Sequence, residues 1–447
     1  MTAEREAGSS SWSSCSPRPA ACRSAAFALV VAALLLIHPL EAAAASSIQM
    51  HLDRINKPAL RSIQSEDGDV IDCVARHEQH GLEHPLLKGH AIQAEPPRVP
   101  VAGYEFSTPA NRTIRRRGAW QTWHHGGHCP RGTVAIRRTT AEDVLRASSV
   151  ARFGRKKMHA ARAANAPDVV TGNGHEHAIA YTAAGGSAVY GAKATINVWD
   201  PSIQESNGFS LSQLWILSGS FNGSDLNSIE AGWQADRGRD WFVVNSFTYV
   251  SPELYGDSRP RLFTYWTSDA YEATGCYNAL CPGFVQTSSR IAIGASISPV
   301  SSVSGAQYDV TLLIWKDPKL GNWWLSYGDQ LVGYWPAQLF THLSDHATMV
   351  EWGGEVVDTR PDGVHTATQM GSGRFAGEGF GRASYFRNLE TVDTDNSLVQ
   401  VPLDALQTLA ENAGCYDIRK AYDDGDHAAG WGTHFYYGGP GHNPACP

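Results

Sequence analysis

Three glutamates stand in segments whose neighbours are strand formers. Glu230 lies in "NSIEAGW", and Glu351 and Glu355 lie in "MVEWGGEVV". Because side chains alternate along a strand, Glu230 is predicted to point away from the face of Trp233, and Glu351 and Glu355 to share one face with Gly353. A bulge at the glycine pair of the second segment would separate Glu351 from Glu355.

Two glutamates that meet on one sheet face could supply an acid and a base. Their mutual repulsion would leave one carboxyl protonated to a higher pH than the other. Such a pair can activate water and protonate a leaving group, which is what peptide hydrolysis without metal or nucleophile requires, and glycoside hydrolysis as well. The alternative is that all three are solvent-facing strand carboxylates.

Other catalytic chemistry has less support in the sequence. A Gly-x-Ser-x-Gly elbow is missing from the 447 residues, and the cysteines are better explained as bridges. Two histidine-rich segments, "HHGGHC" and "HEHAIAY", suggest a metal site. However, His175 and His177 in the second segment have no obvious third ligand nearby. No metal and no cofactor is therefore predicted.

The elements that must position the glutamates are strands. From residue 169 onward, apolar or β-branched runs such as "GAKATINVWD", "LSQLWILSG" and "YDVTLLIWKD" alternate with Gly-, Asn- and Ser-rich turns. The pattern predicts an all-β fold, an antiparallel β-sandwich preceded by a smaller propeptide segment. Only "LDALQTLAENAGC", with a stop at Gly414, indicates a helix.

The N-terminus indicates secretion. An apolar run from Ala25 to Ile37 is followed by the small residues Ala42 to Ala45, which is typical of a signal peptide cleaved near Ala45. A membrane anchor is the alternative, but the run is shorter than the ~18 apolar residues of a spanning helix. We therefore expect a protein of the extracellular space or cell wall, without stable membrane insertion once the signal is removed.

Secretion has two covalent consequences. Asn111 and Asn222 stand in glycosylation motifs. Six cysteines remain after signal removal, and the spacing favours a Cys276 to Cys281 clip and a Cys415 to Cys446 tie, although other pairings stay open. The formal net charge of −8 disfavours a nucleic-acid partner.

Composition changes near residue 165. Residues 94–165 are basic, and the remainder is neutral to acidic. We predict a signal peptide over 1–45, a propeptide with its linker over 46–165 and a sandwich domain over 166–447. Within the second region "RKKMHAARAANAP" is expected to be an exposed linker suited to proteolytic processing, with a solvated basic helix as the alternative.

A family resemblance extends over some 370 residues after the signal. In the first part "HPLLKGHAIQ" and "CPRGTVAIRRTTAEDVLRA", and in the second "GAKATINVWDP", "IEAGW", "GCYNALCPGF", "GNWWLSYG", "VEWGGEV" and "YYGGPGHNP", resemble in order the plant neprosin-domain proteins. These are secreted glutamic peptidases related to a prolyl endopeptidase.

The resemblance implies a β-sandwich made as a zymogen, with two glutamates that cut after proline in acid. Glu230 matches the first glutamate, and Glu355 is preferred for the second with Glu351 as alternate. Trp233 and Trp352 could line a proline pocket, although core packing is the alternative. The implied partners are proline-containing peptides and the chain's own propeptide.

One departure from the family pattern bears on activity. The segment "ADRGRDWFVVNSFTY", residues 235–249, stands where the family runs almost directly into "VSPELYG", and it is expected to interrupt the strand of Glu230.

A further hypothesis concerns the basic segment: Arg115 to Arg117 cover the acidic cleft until low pH protonates it. The competing functions are a catalytically silent extracellular sandwich that binds cell-wall polysaccharide or protein, and a glycosidase.

Overall fold

The computed structural model describes residues 45–102, 120–147, 149–156, 174–182, 188–205, 208–220, 224–237, 254–358, 364–422 and 430–447. The chain divides into two compact units, Met1–His51 and Leu52–Pro447. In the first unit, residues 45–51 are helical. Every strand of the described residues belongs to the second unit.

Five strands precede residue 140: β1 (Ala59–Gln64), β2 (Val70–Ala75), β3 (Val101–Ala102), β4 (Trp120–Gln121) and β5 (Thr133–Arg137). The next eight are β6 (His175–Thr182), β7 (Gly191–Asn197), β8 (Phe209–Ser218), β9 (Asn227–Asp236), β10 (Arg261–Thr267), β11 (Val285–Gln286), β12 (Ile297–Ser298) and β13 (Asp309–Lys316). The last eight are β14 (Trp323–Tyr327), β15 (Gln330–Trp335), β16 (Met349–Val357), β17 (Ser384–Val392), β18 (Ser397–Gln400), β19 (Leu406–Ala410), β20 (Asp417–Tyr422) and β21 (Thr433–Gly438).

Helices are few and short. An α-helix covers Ala141–Arg146 and begins with a capping box, in which the Thr140 side chain accepts from the amide of Asp143. Single 3-10 turns occupy Arg76–Glu78, His80–Glu83, Pro85–Leu87, Thr122–Gly126, Val150–Arg152, Ala337–Leu339 and Ala376–Glu378. Among the described residues, the helices are too short or too polar to cross a membrane.

Two large sheets carry the fold. One has six strands in the order β10-β9-β8-β16-β6-β19, all antiparallel, and the other follows the path β11-β15-β14-β13-β7-β17-β18-β3 with β21 and β20 attached through β17. Apolar side chains of both sheets share one buried core, and the Trp233 indole donates across it to the backbone oxygen of Asn197 at 2.9 Å. The predicted all-β sandwich is confirmed.

The segment before residue 140 forms a small sheet of its own, β1-β2-β5. The Cys73–Cys129 disulfide closes it, and its buried side chains, including Ile63 and Trp123, pack against Ala292 and Ala295 of the sandwich. Two further strands of this segment pair directly with the sandwich, β3 with β18 and β4 with β12. The N-terminal segment is thus packed against the sandwich by sheet pairing as well as by apolar contact.

The predicted disulfides are present. Cys276 is bonded to Cys281 and Cys415 to Cys446, as the spacing favoured. The helix predicted over "LDALQTLAENAGC" is wrong. Residues 406–410 are instead β19, which pairs with β6 from Leu406 to Ala410 at the edge of the six-stranded sheet. Backbone hydrogen bonds offered by an unpaired sheet edge outweigh the modest helix propensity of the segment.

Close strand packing generates a testable requirement for glycine at residue 232. A Cβ there would lie 2.0 Å from the backbone oxygen of Ser212 and 2.6 Å from Cα of Gln213. We expect Gly232→Ala to lower the free energy of unfolding by about 1–3 kcal/mol, because neighbouring backbone must move. Gly377→Ala is the matched control, since a Cβ at residue 377 meets open space. Equal denaturant midpoints for the two variants would contradict this account.

Candidate active site

The strand register brings the three glutamates to one face of the six-stranded sheet. β8 lies between β9 and β16, and Trp215 of β8 is the partner of both Glu230 and Glu351, while Leu211 is the partner of Glu355. Directly paired residues point to the same side of a sheet. The register of β16 runs without a shift from Met349 to Val356 against β8. No bulge separates the two glutamates in this stretch, so Glu351 and Glu355 share a face, as alternation predicts.

A glutamine lies at the centre of this face. Gln213 of β8 is paired with Gly232 of β9 on one side and Gly353 of β16 on the other. Its two cross-strand neighbours therefore have no side chains. Its amide nitrogen donates to Oε2 of Glu355 at 3.2 Å, and its amide oxygen is buried without a hydrogen-bond partner among the described residues. The floor between the glutamates is thus flat and carries an acceptor available to a ligand.

Glu230 is surrounded by neutral hydroxyl donors. Its side chain is 0% exposed, and Oε1 accepts from the Ser228 hydroxyl at 2.9 Å and from the Tyr271 hydroxyl at 2.6 Å. Burial and then the adjacent Glu230 carboxylate raise the pKa of Tyr271 well above its usual value. Tyr271 therefore stays protonated and remains a donor.

Glu355 is surrounded by histidines. Nδ1 of His175 lies 2.5 Å from Oε1 of Glu355, and Nε2 of His177 lies 3.9 Å from Oε2. His177 is in turn held by Glu411, which accepts from its Nδ1 at 3.0 Å and from its backbone amide at 2.7 Å. Burial alone would lower the pKa of His177, but Glu411, Glu355 and Glu351 outweigh it and raise the pKa to about 9.

A buried lysine of the N-terminal segment contacts Glu230 and acts electrostatically on Glu355. Its side chain is 8% exposed, and Nζ of Lys156 donates to Oε2 of Glu230 at 2.5 Å. Burial would lower the pKa of Lys156, but Glu230 and then Glu355 raise it. For Glu355, burial would raise the pKa, but Lys156, followed by His175 and His177, holds it well below its usual range. The Lys156 ammonium thus compensates Glu230 directly and acts on Glu355 together with the two histidines.

Three tyrosine rings form the wall around this ammonium. Nζ of Lys156 lies 5.1 Å from the ring centre of Tyr265, 5.4 Å from that of Tyr271 and 5.8 Å from that of Tyr277. The Tyr265 hydroxyl also accepts a hydrogen bond from the backbone amide of Lys156 at 3.3 Å. Cation–π attraction adds to the ion pair in a site from which water is excluded.

A second ion-pair network fixes the N-terminal segment to the same sheet. Arg261 of β10 is buried and pairs with Asp69 at 2.5 Å and with Asp257 at 2.7 Å. Asp69 also accepts from Arg137 at 2.8 Å, and Arg137 pairs with Asp143 at 3.1 Å. Carboxylates and arginines of both parts of the chain therefore alternate across this contact.

Comparison with known families agrees with this geometry. The profile of the Neprosin family matches residues 206–440, more than half of the chain, and that of the Neprosin activation peptide matches residues 62–181. The chain belongs to the neprosin family. Membership supports a glutamic peptidase that is made with an activation peptide. The activation-peptide match extends past the predicted boundary at residue 165 and into β6, so the cleavage position stays a prediction.

Solved structures with some likeness include two of scytalido-glutamic peptidase bound to transition-state analogues. They cover 60% and 59% of this neprosin-family chain and 98% and 97% of their own, at 14% and 12% identity and TM-scores of 0.29 and 0.30. A β-porphyranase from the human gut bacterium Bacteroides plebeius covers 40% of this chain and 51% of its own, at 8% identity and a TM-score of 0.13. Overall superposition is weak in all three cases.

Of the two roles open to Trp233 and Trp352, proline pocket or core packing, the structure supports core packing. Trp233 and Trp352 are fully buried in the core between the sheets. They belong to the face opposite the glutamates, since Trp233 is paired with Ser212 and Trp352 with Leu214. Alternation along β9 and β16 fixes this, so both residues pack the core rather than line the cleft.

Several site residues escaped the sequence reasoning. Lys156 falls in the predicted exposed linker, and that prediction is wrong for this residue, which is buried against Glu230. The linker beyond Lys156 lies outside the described residues. His175 and His177 were weighed only as metal ligands. Their pairing opposite Val357 and Glu355 depends on the register of β6 with β16, which no local pattern reveals. Gln213 and Tyr271 carried no signal.

The segment inserted after Gln234 leaves the strand of Glu230 intact. β9 continues through Ala235 and Asp236 with unbroken pairing to β8, so the expected interruption is wrong. The Asp236 carboxylate then accepts from the backbone amides of Leu254 and Tyr255 at 3.1 and 3.2 Å. This carboxylate anchors the chain after the insert to the end of β9. Residues 238–253 lie outside the described residues.

One cluster of potential metal ligands exists among the described residues besides the disulfide cysteines. Nε2 of His365 lies 3.1 Å from Glu176 and 3.5 Å from Asp358, while Nδ1 lies 2.8 Å from the oxygen of Thr366. Burial would lower the pKa of His365, but Glu176, the Thr366 oxygen and Asp358 raise it. A protonated histidine between two carboxylates accounts for this cluster.

Other predicted features lie outside the described residues. They are the signal peptide up to residue 44, the arginines Arg115 to Arg117, the processing linker after Lys156, and the glycosylation motifs at Asn111 and Asn222. Within the part of the chain that the structure describes, the lysine that contacts Glu230 is Lys156.

The Lys156 contact should depend on pH. Its presence holds the pKa of Glu355 below the usual value near 4.5, so docked protein binds fewer protons than protein with Lys156 released. Docking is therefore strongest near neutrality and weakens as the pH falls far enough to protonate the carboxylates of the cleft. We expect amide hydrogen exchange at residues 154–156, corrected for intrinsic rates, to accelerate in acid in the full-length protein. In Lys156→Met, fast exchange at every pH is the expected control result, and slow exchange in acid in the wild type would contradict the model.

The Asp236 anchor predicts an opposite pH dependence. Burial raises its pKa to about 6 despite hydrogen bonds from Gln234, Tyr255 and Leu254. Its contribution to stability is fully present below about pH 4 and is lost as the pH rises through 6. The melting temperature of Asp236→Asn relative to wild type should therefore rise between pH 4 and 7, by an amount equivalent to about 3 kcal/mol. A constant difference across that range would refute the assignment.

Proposed function

We propose that this neprosin-family protein is a secreted glutamic endopeptidase that cuts peptide bonds after proline in acidic medium and is made as a zymogen. The observation that carries the proposal is the pair of buried glutamates, Glu230 and Glu355, on one sheet face, with the Lys156 ammonium bonded to Glu230 and its charge acting on Glu355. Two buried carboxylates on one sheet face are suited to acid–base chemistry. Family membership supports the same chemistry.

Hydrolysis at this site requires one carboxylate and one carboxylic acid. The carboxylate takes a proton from water as the water oxygen bonds to the carbonyl carbon, and the acid protonates the nitrogen as the C–N bond breaks. Gln213 lies between the two glutamates, where its amide nitrogen can donate to a carbonyl oxygen. Preference for Glu355 over Glu351 rests on the contacts of Glu355 with His175, Gln213 and the field of Lys156.

Latency follows from the same contacts. Lys156 occupies the space between the carboxylates and the tyrosine rings, so neither water nor a peptide can reach Glu230 while the ammonium stays. Protonation of Glu230 in acid removes the hydrogen-bonded partner of the ammonium and favours its release into water. The proline preference itself rests on the family resemblance, because the two tryptophans considered for a proline pocket are in the core.

Activity separates the candidate glutamates. Full-length protein is activated at about pH 3–5 and assayed with a proline-containing peptide, with cleavage sites read by mass spectrometry. We expect Glu230→Gln and Glu355→Gln each to lower kcat/KM by about 10²–10⁴, the range for loss of an acid or base. Glu378→Gln, which alters a surface pair with Arg382, is the matched control.

Two outcomes would contradict the proposal. Wild-type protein that releases its N-terminal segment but cleaves no peptide would indicate the catalytically silent binder instead. A loss of activity in Glu351→Gln with none in Glu355→Gln would move the second catalytic position to the alternate residue. Cleavage after residues other than proline would leave the peptidase in place and overturn only the specificity.

A further inference from the structure

The surroundings of the two glutamates differ in a way that assigns their roles. Oε1 of Glu230 accepts from two neutral hydroxyls, and its only described cationic partner is Lys156 of the activation segment. Glu355 instead has His175 at 2.5 Å and His177 at 3.9 Å. Release of Lys156 removes the cation at Glu230 and leaves both histidines at Glu355.

We propose that His175 and His177 are positioning residues that keep Glu355 ionised in acid, which makes Glu355 the base and Glu230 the acid of the reaction. The inference rests on the proposed function and deepens it, because it assigns the two proton-transfer roles to particular residues. Histidines that contact carboxylates carry their protons in acid. Two imidazolium groups beside one carboxylate, and neutral donors beside the other, separate the two protonation states.

The β6 strand builds this arrangement from its alternation. His175 and His177 are two residues apart, so both side chains lie on the face of Glu355, which is the direct cross-strand partner of His177. Glu176 between them points to the other side, where it meets His365. The motif "HEH" therefore provides two cations to the cleft and one anion to the opposite face.

The second histidine is itself held in place. Glu411, just beyond β19, accepts from both the ring and the backbone amide of His177. Burial works against its charge, yet Glu411, Glu355 and Glu351 raise the pKa of His177 to about 9. Besides the two histidines, the titratable groups in the described part of this cleft include Lys156, Glu230, Tyr265, Tyr271, Tyr277, Glu351 and Glu411.

The proton balance of the step follows. Ionised Glu355 accepts a proton from water while the water oxygen bonds to the carbonyl carbon. Protonated Glu230 gives its proton to the nitrogen, the C–N bond breaks, and a carboxylic acid and an amine leave. The site is reset when the proton of Glu355 is lost to solvent and Glu230 regains one.

The test is the pH profile of kcat/KM in acid-activated full-length protein. In this assignment the acidic limb reports protonation of Glu355 and the alkaline limb reports ionisation of Glu230. Loss of one cation should move the acidic limb to higher pH by about one unit, a tenfold lower rate on that limb. We expect this shift in His175→Gln and His177→Gln, with the alkaline limb unchanged. His342→Gln, which removes a surface histidine paired with Asp225, should move neither limb.

A uniform loss of rate with both limbs fixed would overturn the proposal, since that is the result of a purely structural role. A shift of the alkaline limb alone would reverse the assignment of acid and base. Should either variant fail to fold, the other histidine variant carries the same test.

A second measurement does not depend on peptidase activity. Carbon-13 titration of the glutamate carboxyls in full-length Lys156→Met protein, with resonances assigned by Glu230→Gln and Glu355→Gln, should show Glu355 ionising at lower pH than Glu230. Adding His175→Gln should narrow the gap. The reverse order, or an unchanged gap, refutes the role of the histidines. The expected order in a protein that cleaves no peptide would instead refute the proposed function alone.

Discussion

Two carboxylates buried on one face of a sheet require compensation, and the rest of this structure depends on how it is provided. An ion removed from water loses several kcal/mol of hydration, and two like charges in one cleft add their repulsion. In the precursor Glu230 is paired with the ammonium of Lys156, which three tyrosine rings enclose, and Glu355 is paired with His175 and His177. A change at any of these groups therefore acts on both glutamates, because a shared cation couples their ionisation.

The same compensation joins latency to acidity. A proton can replace the ammonium at a carboxylate, whereas a neutral peptide cannot. In acid, therefore, Lys156 can leave the cleft without leaving an unpaired charge behind. The network of Arg261, Asp69 and Arg137 fixes the activation segment some distance along the chain from Lys156. It is built from the same groups, carboxylate and cation, and its aspartates also lose charge in sufficiently strong acid. Both attachments are thus weakened by one variable.

Sequence reasoning reached the parts of this arrangement that depend on alternation. The side of the sheet on which Glu230 and Glu355 lie follows from a period of two residues, and so does the all-β fold. It failed where the outcome depends on which strands are neighbours. The sequence of β19 predicts a helix because its helix propensity takes no account of β6, the strand with which it pairs at the edge of the sheet. Lys156 reads as linker because a lysine beside an arginine and another lysine is usually solvated, and only the tertiary contact with Glu230 buries it. His175 and His177 stood out as histidines, but their purpose is set by the register of β6 against β16.

Acid and base in this site are distinguished by surroundings rather than by residue type. Both are glutamates on the two strands that flank β8, yet Glu230 contacts hydroxyls and Glu355 contacts imidazoles. If both were flanked by hydroxyls, the acid that frees Lys156 would also protonate both, and no base would remain. The histidines remove that conflict, since they keep one carboxylate charged at a pH where the other holds its proton. In the proposed mechanism, opening the cleft and setting its protonation state are then consequences of the same fall in pH, which is why it needs one cation that leaves and two that stay.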